Sequence, residues 1–300
     1  MTDGKEFKNV IRVGSRASRL AVIQSEIVIR QIEEACPEVR AELITMKTAG
    51  DRILDKTLDQ IGGKGLFVKE LDEALRAGEV DLTVHSLKDL PGIIPEDLPL
   101  AAFSHREDPR DVLVLPEGKT EIDLSLPVGT SSLRRSLQIK ELMPGVTTAP
   151  VRGNVETRLR KLDEGQYSAL VLAAAGLKRL GLEDRISRYF SPEEMIPAAC
   201  QGVLGIQTRA GENTTVTDRI NDYDAGRCAL AERAYVKAIG ADCGSPDTAF
   251  ARISGDQIII MGLRYDAERQ TVLKESICGP ASEAEALGRE LADRMMKNGR

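Results

Sequence analysis

From residue 10 to about residue 210, short β-branched or wholly apolar runs alternate with segments whose apolar residues recur every three or four positions. Residues 10–13 read as a strand, and Ser18 is placed to cap a helix running to about residue 34 with Leu20, Ile23 and Ile27 on one stripe. Residues 42–47 give the next strand, 66–77 a helix closed by Gly78, and 81–85 a short strand. Pro91, Pro95 and Pro99 then impose an extended connection. Strands at 111–115, 127–130, 146–151, 168–173 and 203–208 follow, with helices at 132–142 and 155–164 among them. Such alternation predicts parallel or mixed sheets covered by helices.

Beyond about Asp224 the pattern changes. A helix at 225–239 precedes three consecutive strands near 247–253, 257–264 and 271–277, then a helix at 281–297. The expected fold class is therefore α/β: two doubly wound mixed-sheet domains, followed by a C-terminal α+β domain with a three-stranded sheet. The boundaries expected are 1–105 with 200–222 for the first domain, 106–199 for the second and 223–300 for the third.

Composition narrows the partners. With 41 basic against 47 acidic residues, the chain has no global electrostatic footprint for nucleic acid. No Trp and only five Tyr and five Phe argue against a base-stacking platform. The first ten residues lack the apolar core of a signal peptide. The longest apolar run, 169–177, falls far short of the ~20 residues that span a bilayer. A cytoplasmic protein without a membrane partner is expected. Cys36, Cys200, Cys228, Cys243 and Cys278 form no CxxC, and there are two histidines, so no metal site is expected.

Candidate chemistry gathers where open α/β sheets bind ligands, beyond the C-terminal strand ends. Those ends carry Gly14-Ser15-Arg16-Ala17-Ser18-Arg19, Ser86-Leu87-Lys88-Asp89, Gly129-Thr130-Ser131-Ser132-Leu133-Arg134-Arg135 and Arg152-Gly153-Asn154. A glycine-rich loop adds Gly62-Gly63-Lys64-Gly65-Leu66-Phe67. Hydroxyl-rich turns at helix starts supply donors, and arginine a planar fork for carboxylate or phosphate. Residues 128–161 hold seven basic residues against two acidic ones, although the whole chain is at −6. The reading is a cleft for a small molecule with several negative groups. Neither a Walker A loop nor a dinucleotide fingerprint is present. Asp89 follows Lys88 at a strand exit as a candidate carboxylate in that cleft, and His85 reads as a structural histidine. Cys243, in the loop Gly240-Ala241-Asp242-Cys243-Gly244-Ser245-Pro246, is the cysteine placed for reactivity or covalent attachment.

Taken together, the runs GGKGLFVKELDEAL, DLTVHSLKDLP, REDPRDVLV, VGTSSLRR, VRGNVETRL and LAAAGLKRLGL resemble the porphobilinogen deaminase (hydroxymethylbilane synthase) family, in the family's order, from Ile11 to the C-terminal helix. The resemblance implies two domains like those of a two-lobed anion-binding protein and a third that anchors the cofactor. It implies condensation of four porphobilinogen molecules with loss of ammonia, primed by a dipyrromethane cofactor in thioether linkage to Cys243, with Asp89 as the catalytic carboxylate. Arg16, Ser18, Lys88, Ser132, Arg134, Arg135, Arg152 and Arg158 match positions that hold carboxylates, and Lys64 and Phe67 match a loop over the cleft. Ser86, Thr130, Ser131, Asn154 and Gln201 complete the implied cofactor and substrate contacts. Cys200 stands before Gln201-Gly202 where the family usually has Gly. A monomer is expected, and the alternative is a non-catalytic two-lobed polyanion-binding protein.

Overall fold

The structure is a computed structural model that describes residues 10–46, 68–241 and 244–298. The chain divides into two compact units, Met1–Ser86 with Ile93–His105 and Leu204–Tyr223, and Leu87–Gly92 with Arg106–Val203 and Asp224–Arg300.

In the first unit, strands β1 (Val10–Arg16), β2 (Arg40–Met46), β3 (Leu82–Ser86), β4 (Leu100–Phe103) and β10 (Leu204–Thr208) make one sheet in the order β2-β1-β3-β10-β4. β1 is parallel to both its neighbours and β10 antiparallel to both of its own. Strand alternation sends Ile11, Val13, Leu82 and Val84 into a core with Val28 and Ile32 of helix α1 (Arg19–Ala35). A Cβ on Gly14 would meet Val80 at 3.1 Å, so the sheet's other face carries the smaller cluster of Val80, Leu98 and Leu75 of α2 (Lys69–Arg76). The stripe expected at Leu20, Ile23 and Ile27 is only half-buried. The buried line runs through Gln24, Ser25, Val28 and Ile32. Gln24 is tolerated inside because its amide donates to Ser86 Oγ at 2.8 Å. Ser18 holds the N-cap position, but its side chain makes no capping bond. Strand β4, within the segment expected to be merely extended, and helix α6 (Thr214–Ile220) are additions.

The second unit contains two sheets. Strands β5 (Asp111–Val114), β6 (Val128–Gly129), β7 (Thr148–Ala149), β8 (Ala169–Ala173) and β9 (Arg188–Tyr189) follow the order β7-β6-β8-β5-β9, with the parallel and antiparallel pattern of the first sheet. β8 is apolar throughout because both its faces are covered. Ala169 and Val171 pack with Ile139 of α3 (Leu133–Leu142). Leu170 and Leu172 pack with Leu159 and Leu162 of α4 (Val155–Asp163) and Leu177 of α5 (Ala174–Arg179).

The C-terminal part is a meander of β11 (Thr248–Ser254), β12 (Gln257–Asp266) and β13 (Thr271–Pro280) with helices α7 (Tyr223–Ile239) and α8 (Ala284–Asn298). Ile258 and Ile260 pack against Tyr235, Leu291 and Met295. The two helices approach so closely that a Cβ on Gly288 would lie 2.2 Å from the Ala231 carbonyl oxygen. The α/β class with two mixed sheets and a three-stranded antiparallel sheet is what the sequence pattern implied.

Candidate functional site

Asp89 is presented by a short 3-10 turn, Leu87–Asp89. Leu87 and Leu90 are buried, and the Leu87 amide donates to Val203 O at 3.0 Å. Two apolar pegs and one ladder bond thus fix the turn and leave Asp89 exposed. Between the pegs, Lys88 Nζ donates to Gln201 Oε1 at 3.3 Å. Burial pulls Lys88 down to about 8, with Arg135 and Arg134 adding to the effect and Asp89 and Asp111 opposing it.

Behind the turn lies a buried carboxylate absent from the sequence-based set. Asp111, the first residue of β5, is fully buried. Arg134 Nη1 donates to its Oδ2 at 2.6 Å, and Arg135 Nε and Nη2 donate to Oδ1 at 3.0 and 2.7 Å. Gln201 Nε2 donates to the same Oδ1 at 2.9 Å and to Pro109 O at 2.8 Å. Burial pushes the Asp111 carboxyl upward, but the two guanidinium groups outweigh it and hold it well below the usual carboxylate range. Arg134 Nη1 also reaches Ile196 O at 2.6 Å, and Arg135 Nη1 reaches Val171 O at 3.2 Å. Among the described residues, Arg134 Nε and Nη2 make no hydrogen bond.

The loops after β6 and β7 are tied to each other. Ser131 Oγ donates to Val151 O at 2.7 Å, and Thr130 Oγ1 accepts from the Ser132 amide at 3.2 Å. Ser132 is the N-cap of α3 without a side-chain capping bond, so its hydroxyl is not used there. Asn154 caps α4, its Oδ1 accepting from the Thr157 amide at 2.8 Å. Arg158 Nε donates to Gly153 O at 2.8 Å, which aims the guanidinium while leaving both Nη groups unbonded among the described residues. Burial, helped by Arg135 and Arg152, lowers Arg158 to about 10 against the pull of Asp89. Arg152 is half-buried, and its side chain has no partner among the described residues. The second unit thus brings together Lys88, Asp89, Thr130, Ser131, Ser132, Arg134, Arg135, Arg152, Asn154, Arg158 and Gln201 of the sequence-based set.

Arg16, Ser18 and Ser86 belong to the first unit. Arg16 ends β1, Ser18 holds the N-cap position before α1 and Ser86 ends β3 beside Gln24. His85 is buried and bonded to Thr83 Oγ1 at 2.9 Å. Burial, with Arg16 adding, lowers it to about 4, which makes it a neutral structural histidine. Lys64, Phe67 and Cys243 lie outside the described residues.

Asp111 was legible only as a lone acid opening an apolar strand, Asp-Val-Leu-Val. Arg179 was also missed. Burial lowers it to about 10, and its Nη2 donates to Gly202 O at 2.7 Å. Gly202 sits at φ +92° with no room for a side chain, since a Cβ would lie 2.2 Å from Glu107 O. Among the described residues no cluster of His, Cys, Asp or Glu has the makings of a metal site.

Among the described residues, Lys88, Arg134, Arg135, Arg152 and Arg158 face only Asp89 and Asp111 as local counter-charges, a surplus suited to a ligand with several carboxylates. The class so defined is an α/β protein with a cationic small-molecule site around one exposed carboxylate. Comparison with known proteins makes this specific. Residues 11–217 match the model of the porphobilinogen deaminase dipyromethane cofactor binding domain, and residues 226–297 that of the porphobilinogen deaminase C-terminal domain. Porphobilinogen deaminase of Acetivibrio thermocellus is 53% identical over 287 residues, covering 96% of this chain and 98% of that protein. The same-named proteins of Ruminiclostridium josui and Alkaliphilus oremlandii are 52% and 51% identical over 285 residues, covering 95% of this chain and 97% and 96% of theirs. The chain belongs to the porphobilinogen deaminase family.

Proposed function

We infer that the chain is a transferase that condenses four porphobilinogen molecules head to tail on a dipyrromethane cofactor and releases an ammonia for each; one water then cleaves the new tetrapyrrole from the cofactor and supplies its hydroxyl, which yields hydroxymethylbilane. The observation that carries this reading beyond family membership is the setting of Asp89, exposed on a pinned turn and within the electrostatic reach of Lys88 and Arg158.

The residues fit the cofactor. A dipyrromethane derived from porphobilinogen carries an acetate and a propionate on each ring, and the site has more cations than its own carboxylates can neutralise. Among the described residues, Arg152, the Nη groups of Arg158, the outer nitrogens of Arg134, one Nη1 hydrogen of Arg135 and the Ser132 hydroxyl are donors left for it. Lys88, Arg135, Gln201, Thr130, Ser131 and Asn154 are proposed as further contacts or supports, and Arg16, Ser18 and Ser86 as contacts from the first unit. Lys64 and Phe67 are proposed to act from their loop, and Cys243 to carry the cofactor in thioether linkage. When bound, the dipyrromethane supplies the free pyrrole α-carbon from which the chain grows.

In each addition, the C–N bond of the substrate's aminomethyl group breaks and ammonia leaves. A C–C bond forms, and the attacking α-carbon loses its proton. Positive charge develops on the substrate pyrrole as ammonia departs. Asp89 stabilises that charge at the pyrrole N–H and moves the proton. Arginine forks orient each ring through its acetate and propionate.

We also propose that the chain works as a cytoplasmic monomer in three domains, 1–105 with 200–222, 106–199 and 223–300, without nucleic-acid or membrane partners. No helix among the described residues is long and apolar enough to cross a membrane. A purely binding role for a polyanion would use the arginines but leave Asp89 without a task. The intact mass of protein made in a porphobilinogen-producing cell tests the cofactor reading. A mass one dipyrromethane above the polypeptide, with a coloured Ehrlich reaction, is expected. The bare polypeptide mass, unchanged on adding porphobilinogen, overturns it.

A further inference from the structure

Four side chains behind Asp89 are nine-tenths or more buried yet polar: Asp111, Arg134, Arg135 and Gln201. Each is joined to the others through Asp111. One carboxylate oxygen takes Arg134, and the other takes Arg135 twice and Gln201 once. The Gln201 amide is used at both ends. Its nitrogen donates to Asp111 and Pro109 O, which fixes its flip, so its oxygen must face Lys88 Nζ at 3.3 Å and Arg135 Nη2 at 3.4 Å. The carboxylate therefore orients two arginines directly and Lys88 through one intervening amide.

An apolar residue at 111 would fill the space at lower desolvation cost, since a buried ion cluster is weak evidence for stability. The arrangement does not use up the cations. Asp111 engages only one side of the Arg134 fork, and one Nη1 hydrogen of Arg135 is left over. A rigid carboxylate that holds the inner edges of two forks while their outer edges stay available is a jig for ligand carboxylates. We propose that Asp111, acting through Arg134, Arg135 and Gln201, is a positioning residue that sets the direction of the site's cations and holds Lys88 beside Asp89. The proposal rests on the reading of this site as a porphobilinogen deaminase site.

The groups acting on Lys88 are Asp89, Asp111, Arg134 and Arg135, and removing the Asp111 charge takes away one of the two that favour its ammonium form. Asp111→Asn is therefore expected to do three things. Intact mass should show mostly bare polypeptide. In whatever fraction is loaded, kcat/KM for porphobilinogen should fall about 100-fold. The alkaline limb of its pH profile should move to lower pH. Asp111→Glu should restore part of the loading. A merely structural Asp111 would lower the melting temperature and yield without moving the limb, and that result overturns the proposal, as does full loading with a wild-type KM and profile.

Should Asp111→Asn fail to fold, Gln201→Leu decides, because it leaves the direct bonds from Arg134 and Arg135 to Asp111 in place and removes the amide that links Asp111 to Lys88, together with its bonds to Pro109 O and Arg135 Nη2. A KM raised about tenfold together with an acid-shifted limb supports the proposal; an unchanged KM and limb overturns it. If the unaltered protein itself neither carries a cofactor nor consumes porphobilinogen, the functional reading fails first, which distinguishes the two.

Discussion

The Arg106 guanidinium and the Glu232 carboxylate meet as a two-point pair, at 2.6 and 3.1 Å, with Glu232 fully buried. The same carboxylate accepts from the Ala251 amide of β11 at 2.7 Å and from the Cys200 amide. Arg106 in turn donates to Gln201 O at 2.9 Å and lies 4.8 Å from the centre of the Phe250 ring. One ion pair thus joins helix α7, the C-terminal sheet and the turn that carries Gln201. Glu232→Gln leaves Arg106 without its counter-charge and is expected to cost about 3–5 kcal/mol, measured by urea denaturation. The double variant Arg106→Met with Glu232→Met should be less destabilised than the sum of the two single variants.

Asp89 is exposed, and its turn is held by Leu87 and Leu90, so the carboxylate can be altered without disturbing the fold. Asp89→Asn is expected to leave the melting temperature and cofactor content close to those of the unaltered protein. Turnover should fall by about two to four orders of magnitude, the range for losing a positioned acid–base group. Near-normal turnover would remove Asp89 from the mechanism.

The pH dependence of folding has a defined contribution from His85. Its folded pKa is about 4 against an ordinary 6.5, so the unfolded chain binds its proton first as pH falls. The stability that this group lends is fully present above pH 6.5 and is lost as pH drops from there toward 4. It amounts to about 3 kcal/mol. Urea midpoints measured between pH 7 and 4 should fall less steeply in a His85→Gln variant. An identical slope would show that His85 does not titrate in this way.

Thiol reactivity should separate the described cysteines sharply. Cys36, Cys200 and Cys228 are buried, and Cys278 is exposed. Burial, with Glu232 adding, pushes the Cys200 thiol far above its ordinary range, and the same two influences raise Cys228 to about 12. Cys200 also sits at φ +62°, a left-handed position that strains any residue but glycine. Iodoacetamide on the native protein should therefore label Cys278 and spare these three, and mass mapping of the peptides checks it. Early labelling of Cys200 would show that its burial does not shield the thiol.

How far the sequence foretold this molecule can be judged from particular residues. The wholly apolar run at β8 and the three consecutive strands after α7 were readable because burial on both faces and simple meander order leave direct marks on composition. The expected stripe on α1 was wrong by one step round the helix, since Gln24 is buried through a bond to Ser86 that periodicity does not reveal. Strands β6 and β7 are only two residues long, too short for alternation to show their limits. Asp89 and the arginines were visible as charges at strand ends. Asp111 was not, because its meaning depends on β5 lying beside β8, where helix α3 brings Arg134 and Arg135 onto it, a neighbourhood set by sheet order and not by spacing along the chain.

The central claim is the reaction itself, and a stoichiometric assay of the purified protein tests it most directly. Incubated with porphobilinogen alone, the protein is predicted to consume four porphobilinogen molecules and release four of ammonia for each hydroxymethylbilane formed, with the cofactor mass unchanged after many turnovers. Binding of porphobilinogen without release of ammonia would contradict the account and leave a binding protein in its place.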